Sequence, residues 1–134
     1  MITIFDSAAM VRVLSGPIDP DLKAILLGRL ELLAEYLDDW DLADIANFIV
    51  VEPGDNIEAI EQELCISPFV NRVDGARYPD PAFEPSWEHC IARQGCFDLT
   101  FALSDAGLAH CLLVPDRDGV EPQLLELCRA FATQ

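Results

Sequence analysis

Five cysteines and two histidines are the residues of this chain best suited to metal or covalent chemistry. They are Cys65, Cys90, Cys96, Cys111 and Cys128, with His89 and His110 each directly before a cysteine. Thiolate sulfur and imidazole nitrogen are the donors of tetrahedral zinc, and His89-Cys90, Cys96 and His110-Cys111 supply enough of them. The spacing argues against it. Structural zinc sites usually draw ligands in close pairs of the C-x-x-C or H-x₃-H type, and neither pattern occurs. On a strand, His110 and Cys111 point to opposite faces and cannot both bind one ion. No metal and no other cofactor is expected.

The neighbours His89 and Cys90 are equally ill-placed for nucleophilic catalysis, because adjacent side chains diverge. A cysteine paired with a histidine from another element is geometrically open, but nothing else in the sequence supports it. There is no G-x-S-x-G elbow, no glycine-rich phosphate loop and no H-E-x-x-H. Acidic neighbours such as Asp38-Asp39 fall in a stretch expected to be exposed, where nothing moves a carboxyl pKa toward neutrality. The balance favours a protein without catalysis.

Charge is the most unusual property. Twenty-four acids against eight bases give a formal net charge of −16. Residues 38 to 65 hold nine acids and no base, which is more than half of that excess. Within this stretch Asp38, Asp39, Asp41 and Asp44 cluster, and Glu58 and Glu61 share a helix face by their i, i+3 spacing. Such a surface repels the phosphates of nucleic acid and gains from a cationic partner. The bland reading is a solvated surface on a generally acidic protein.

The other candidate is the stretch 66 to 85, which has no sustained period and contains Pro68, Pro79, Pro81 and Pro85. Loops of that length are uncommon inside compact domains and are more often functional than short ones. It carries Arg77 and Tyr78, with Trp87 close behind, and these residue types dominate binding hot spots. The bland reading here is a loop held by its own ion pairs, with its aromatic side chains tucked onto the core.

The elements that must position these residues follow from periodicity and punctuation. A chain of 134 residues with 51% hydrophobic content suits one domain, residues 1 to 134, with a real core. No apolar run is long enough to span a bilayer. The first residues lack the basic and apolar regions of a secretion signal, and an odd cysteine count suits reduced thiols. A cytoplasmic location is the default expectation.

Residues 1 to 37 read as helical. Ser7 is placed to cap a short helix over residues 8 to 14. Asp19-Pro20 opens a longer helix in which Leu22, Leu26, Leu30, Leu33 and Leu37 recur at helical spacing. Ile25, Leu27 and Leu32 widen its apolar face, so packing on more than one side is expected. A brief helical turn over 41 to 44 precedes a β-branched strand over 45 to 51. Asp55 and Glu58 have capping-box spacing before a helix over 56 to 64. Ser86 is read as capping a short helix that ends at Gly95.

The clearest element is a hairpin, with strands over 97 to 103 and 108 to 114 around Ser104-Asp105-Ala106-Gly107. Glu121-Pro122 then opens a terminal helix with Leu124, Leu127, Cys128 and Phe131 on its buried face. The expected fold is α+β, a two-layer domain with about three mainly antiparallel strands packed against helices. The functional expectation is a small acidic binding or regulatory module, of inhibitor, immunity or DNA-charge-mimic type, acting on a basic protein. The alternative is a small enzyme or small-ligand domain centred on residues 66 to 87.

Overall fold

A computed structural model describes residues 1–64, 69, 75, 89–102 and 108–132. Its centre is a five-stranded mixed sheet: β1 (Ile2–Ile4), β2 (Ala46–Val50), β3 (His89–Arg93), β4 (Cys96–Ala102) and β5 (Ala109–Pro115). The spatial order is β1-β2-β5-β4-β3. All neighbours are antiparallel except β2 and β5, which run parallel with Phe48 opposite Cys111 and Ile49 opposite Leu112.

The α+β class holds, and the sheet is larger than the expected three strands. Central strands such as Phe48-Ile49-Val50 and Cys111-Leu112-Leu113-Val114 are apolar without alternation, the pattern of a strand buried on both faces. Alternate residues therefore enter two separate cores. Ile49, Leu99, Leu112 and Val114 pack with α4 (Ile57–Leu64) and α5 (Pro122–Phe131), through Ile60, Leu64, Leu124 and Leu127. Phe48, Val50, Cys111 and Leu113 pack with α1 (Ser7–Ser15) and α2 (Pro20–Leu32), through Met10, Leu22, Ile25 and Leu26. Helices on both faces give three layers where two were expected.

Two strands were not foreseen. Ile2–Ile4 is too short to show a period, and it is fixed by antiparallel pairing to β2. The N-terminal part is thus not purely helical. Residues 89 to 93, read as part of a helix, form the edge strand β3 and turn back into β4 at Gln94-Gly95. Both turn residues have positive φ, 49° and 73°. Two such residues between antiparallel strands match the twist of a tight hairpin, and glycine at the second position removes the steric cost there.

The caps also differ in detail. Asp6, not Ser7, caps α1, its carboxylate accepting from the Ala9 amide at 2.7 Å. Asn56 caps α4 by accepting from Ala59 at 2.8 Å, while Asp55 accepts from the Glu52 amide at 2.8 Å. Asp19 caps α2 as expected, accepting from Asp21 and Leu22, with Pro20 in the first turn. The long helix does not continue unbroken to Leu37. It breaks at Leu33, and a short helix, α3 (Ala34–Leu37), follows. A 3₁₀ turn at Leu42–Asp44 occupies the expected brief helical turn.

Candidate functional site

Two features lie on the α2 side of the sheet. The first is a groove of about 570 Å³ between α2 and the β3–β4 turn, lined by Ala24, Ile25, Gly28, Arg29 and Leu32 on one side and Arg93, Gln94 and Asp98 on the other. Asp98 sits in the middle of β4, on the same side as Cys96 and Thr100, and is 0% exposed. Its Oδ2 accepts from Arg29 Nε at 3.0 Å and Nη2 at 2.5 Å, and Arg93 Nε lies 3.7 Å away. Arg29 Nη2 also donates to Thr100 Oγ1 at 3.3 Å. Asp98 Oδ1 finds no donor among the described residues. Burial of a carboxylate is tolerated only with a cation and hydrogen bonds beside it, and Arg29 supplies both.

The second feature is the segment from Leu32 to Asp44. Leu32 is 73% exposed, Tyr36 59% and Trp40 60%. These residues recur at intervals of four, and the Trp40 amide donates to the Tyr36 carbonyl at 2.9 Å, one helical turn apart. The anchors of this segment are Leu33 and Leu37, which pack against the core, and Leu42, which is fully buried. Exposed Glu31, Glu35, Asp38, Asp39, Asp41 and Asp44 are interspersed among the aromatic side chains. The helix expected to pack on several sides therefore buries one face only and leaves Leu27, Leu32 and Tyr36 outside.

The sheet divides the acidic stretch 38 to 65. Asp38, Asp39, Asp41 and Asp44 lie on the α2 side, while Glu58 and Glu61 belong to α4 on the opposite side. Several of its acids have structural tasks. Asp41 Oδ2 accepts from Ala43 at 3.0 Å and from the Ser7 amide at 3.3 Å, while Ser7 Oγ accepts from Leu42 at 3.0 Å. These donors, the Ala43 amide first, hold the Asp41 carboxyl below its ordinary pKa. Glu52 and Asp55 take the Met1 amine at 2.5 and 3.0 Å. Partial burial opposes the charge of that amine, and the two carboxylates outweigh it and raise its pKa. Asp38, Asp39 and Asp44 are exposed and make no ion pair with any described residue. Arg77, Tyr78 and Trp87 lie outside the described residues.

Cys65 lies outside the described residues, and among the described ones the thiols and imidazoles do not converge on one site. Cys111 enters the α2-side core, whereas the His110 ring pairs with Asn47 across the parallel ladder, Nδ1 to Nδ2, at 3.3 Å. Burial lowers the His110 pKa. Burial likewise pushes the Cys96 thiol up to about 12 and the Cys111 thiol up to about 11, far from the range of a nucleophile. The Cys90 thiol donates to the Cys128 carbonyl at 3.6 Å. A side-chain contact between the two thiols, with burial second, pushes the Cys128 thiol up, and the same contact lowers the Cys90 thiol. Among the described residues, no group of three His, Cys, Asp or Glu side chains is placed to hold a metal ion. No described helix is long and apolar enough to cross a membrane.

Sequence reasoning missed Arg29, Arg93 and Asp98. Arg29 and Asp98 are 69 residues apart, so no local pattern joins them. The available signal was an aspartate in the middle of Phe97-Asp98-Leu99, an apolar strand that needs a buried cation once both faces are covered. Tyr36 and Trp40 were visible by spacing but were not singled out. No protein-family model, curated protein or solved structure matches this chain.

Proposed function

We propose that this protein is a non-catalytic binding module that docks on a basic protein surface through the segment Leu32 to Asp44. The observation that carries this reading is the exposure of Tyr36 and Trp40, about three-fifths each, among acids that make no ion pair with any described residue. Large aromatic side chains left in water by a folded chain are the usual anchors of an interface, and a charged rim selects the partner. Asp38, Asp39 and Asp44, with Glu31 and Glu35, set the sign of that selection. They steer a cationic surface inward over several ångströms, and the aromatics then hold it by desolvation.

The footprint is smaller than the whole acidic stretch. Glu58 and Glu61 cannot contribute to it, since the sheet lies between them and Asp38. Asp41 contributes charge but is also bonded to Ser7 and Ala43. An inhibitor or immunity-type protein, or a mimic of DNA charge, would use such a surface.

The test is site-specific photo-cross-linking in the native cytoplasm or lysate. A cross-linking amino acid replaces Trp40 in one variant and exposed Gln123, on α5, in a control. We expect a basic protein to be captured from position 40 and not from 123, and capture to fall when Asp38, Asp39 and Asp44 are changed to Asn. Equal capture from both positions, or capture indifferent to the three substitutions, would refute the reading.

A further inference from the structure

Four of the five cysteines are among the described residues, and they divide between the two cores. Cys96 and Cys111 are on the α2 side, spread along the sheet. Thr100 is the residue opposite Cys111, four residues along β4 from Cys96, so roughly 13 Å of strand separates the two positions. Cys90 and Cys128 are on the α4–α5 side, and they meet. Cys90 extends from β3 into the core that holds Leu99 and Phe101, and Cys128 is on the inner face of α5 with Leu124 and Leu127. The Cys90 sulfur lies 3.6 Å from the Cys128 backbone oxygen, and the two thiols are themselves in contact. A helix packed on the edge strand of the sheet thus brings together two thiols 38 residues apart.

A cysteine alone in a core is a small hydrophobe, and burial accounts for it. Two thiols in contact have a chemistry as well, because each is the nearest nucleophile to the other's sulfur. The contact is also asymmetric. It lowers the Cys90 thiol and raises the Cys128 thiol, as when one S–H supports its neighbour as the thiolate.

We propose that Cys90 and Cys128 are a redox pair, converted by hydrogen peroxide to a disulfide that staples α5 to the edge strand β3. Cys90 Sγ, as the thiolate, attacks one peroxide oxygen, breaks the O–O bond and becomes a sulfenic acid. The other oxygen leaves as hydroxide and takes up the proton that the Cys90 thiol released, giving water. Cys128 Sγ then attacks the Cys90 sulfur, and its proton departs with the sulfenic hydroxyl as a second water. The pair loses two protons and two electrons, and the peroxide is reduced to two waters. Both residues are buried, so the reaction proceeds through local opening at the sheet edge. The pair lies across the sheet from Leu33 and Leu37, which anchor the docking segment, so it is tested without a partner.

Fully reduced protein is exposed to excess hydrogen peroxide in native buffer and, separately, in urea. The remaining thiols are alkylated after unfolding, and the peptides are mapped by mass spectrometry. In native buffer we expect one predominant cross-link, Cys90 to Cys128, with Cys96 and Cys111 recovered as alkylated thiols. Cys65→Ser should give the same product, whereas in urea the cross-links should scatter over other pairs. A dithiol reductant should restore the reduced mass. The oxidised protein should melt at least about 5 °C above the reduced one, since the staple closes a long loop in the unfolded chain. Cys128→Ser should halt at a sulfenic acid on Cys90, detected with dimedone. Four results would overturn the proposal: both thiols left intact in native buffer, Cys90 carried to sulfinic acid instead, a cross-link from either residue to Cys65 in place of their own, or an oxidised form that melts no higher. The mapping is done on the wild type, so it decides even if a variant fails to fold.

Discussion

Leu99 and Phe101 project from β4 into the core beneath α4 and α5, while their neighbours Asp98 and Thr100 project toward α2. One strand thus supplies two faces of opposite character. The α4–α5 face is sealed by Ile60, Leu64, Leu124 and Leu127, all nearly inaccessible. The α2 face has an equally dry centre around Phe48 and Leu113, but toward β3 it contains an ion pair, a groove and an unpaired carboxylate oxygen. Beyond Leu33 it ends in exposed aromatic side chains. Burial alone explains the described core residues of the first face, Cys90 and Cys128 apart. It does not explain Asp98, Tyr36 or Trp40, and these are the positions where a requirement other than folding is legible.

The largest effect that separates the faces should come from the ion pair. Arg29→Ala leaves the Asp98 carboxylate buried without its hydrogen-bonded cation, with only half-exposed Arg93 3.7 Å away, and should cost about 3 kcal/mol by urea denaturation. Replacing both partners together, as Arg29→Met with Asp98→Leu, should recover most of that loss, because well-packed apolar groups do as well as a buried pair. A double variant no more stable than Arg29→Ala would mean that the pair is indispensable to the fold and not a feature added to it.

A smaller contrast comes from the thiols on the α2 face. Burial raises the Cys96 pKa to about 12 and the Cys111 pKa to about 11. The folded state thus disfavours the thiolate, and this contribution is fully present below the unfolded thiol pKa near 9. It is lost as pH rises from there toward the folded values, by at most about 1.4 kcal/mol per pH unit for each thiol. Urea unfolding between roughly pH 8 and 10.5 should therefore show a steeper loss for the wild type than for Cys96→Ala/Cys111→Ala. Identical slopes would place the two thiols in contact with water.

How much of this was legible in the sequence depends on whether the governing contact was local. The β4–β5 pairing, Asp19-Pro20 at the start of α2 and the terminal helix all carry their signals within a few residues, and each stands where it was expected. The expected parts that moved are those set by distant contacts. β1 owes its existence to β2, and His89–Arg93 is a strand because β4 lies beside it. Phe131 falls at the right interval on α5 but is more than a third exposed, since it is the last residue of the helix. Asp55 has the spacing of a cap, and the Met1 amine draws it elsewhere. The acidic cluster was legible, but its division by the sheet was not, since a linear charge count has no faces. The Arg29–Asp98 pair was the least visible, because it joins a helix and a strand that no periodicity relates.

The central claim is that Asp38, Asp39 and Asp44 steer a basic partner which Tyr36 and Trp40 then hold. Association kinetics of the cross-linked partner test it most directly, with wild type, Asp38→Asn/Asp39→Asn/Asp44→Asn and Trp40→Ala compared across a salt series. Exposed charge acts over about 8 Å near physiological ionic strength and less as salt rises. We expect the triple Asn variant to associate about tenfold more slowly than wild type at low salt and equally fast at high salt, with little change in dissociation. Trp40→Ala should associate at the wild-type rate and dissociate at least about tenfold faster. On- and off-rates unchanged in both variants at every salt concentration would contradict the claim and leave the segment a solvated surface.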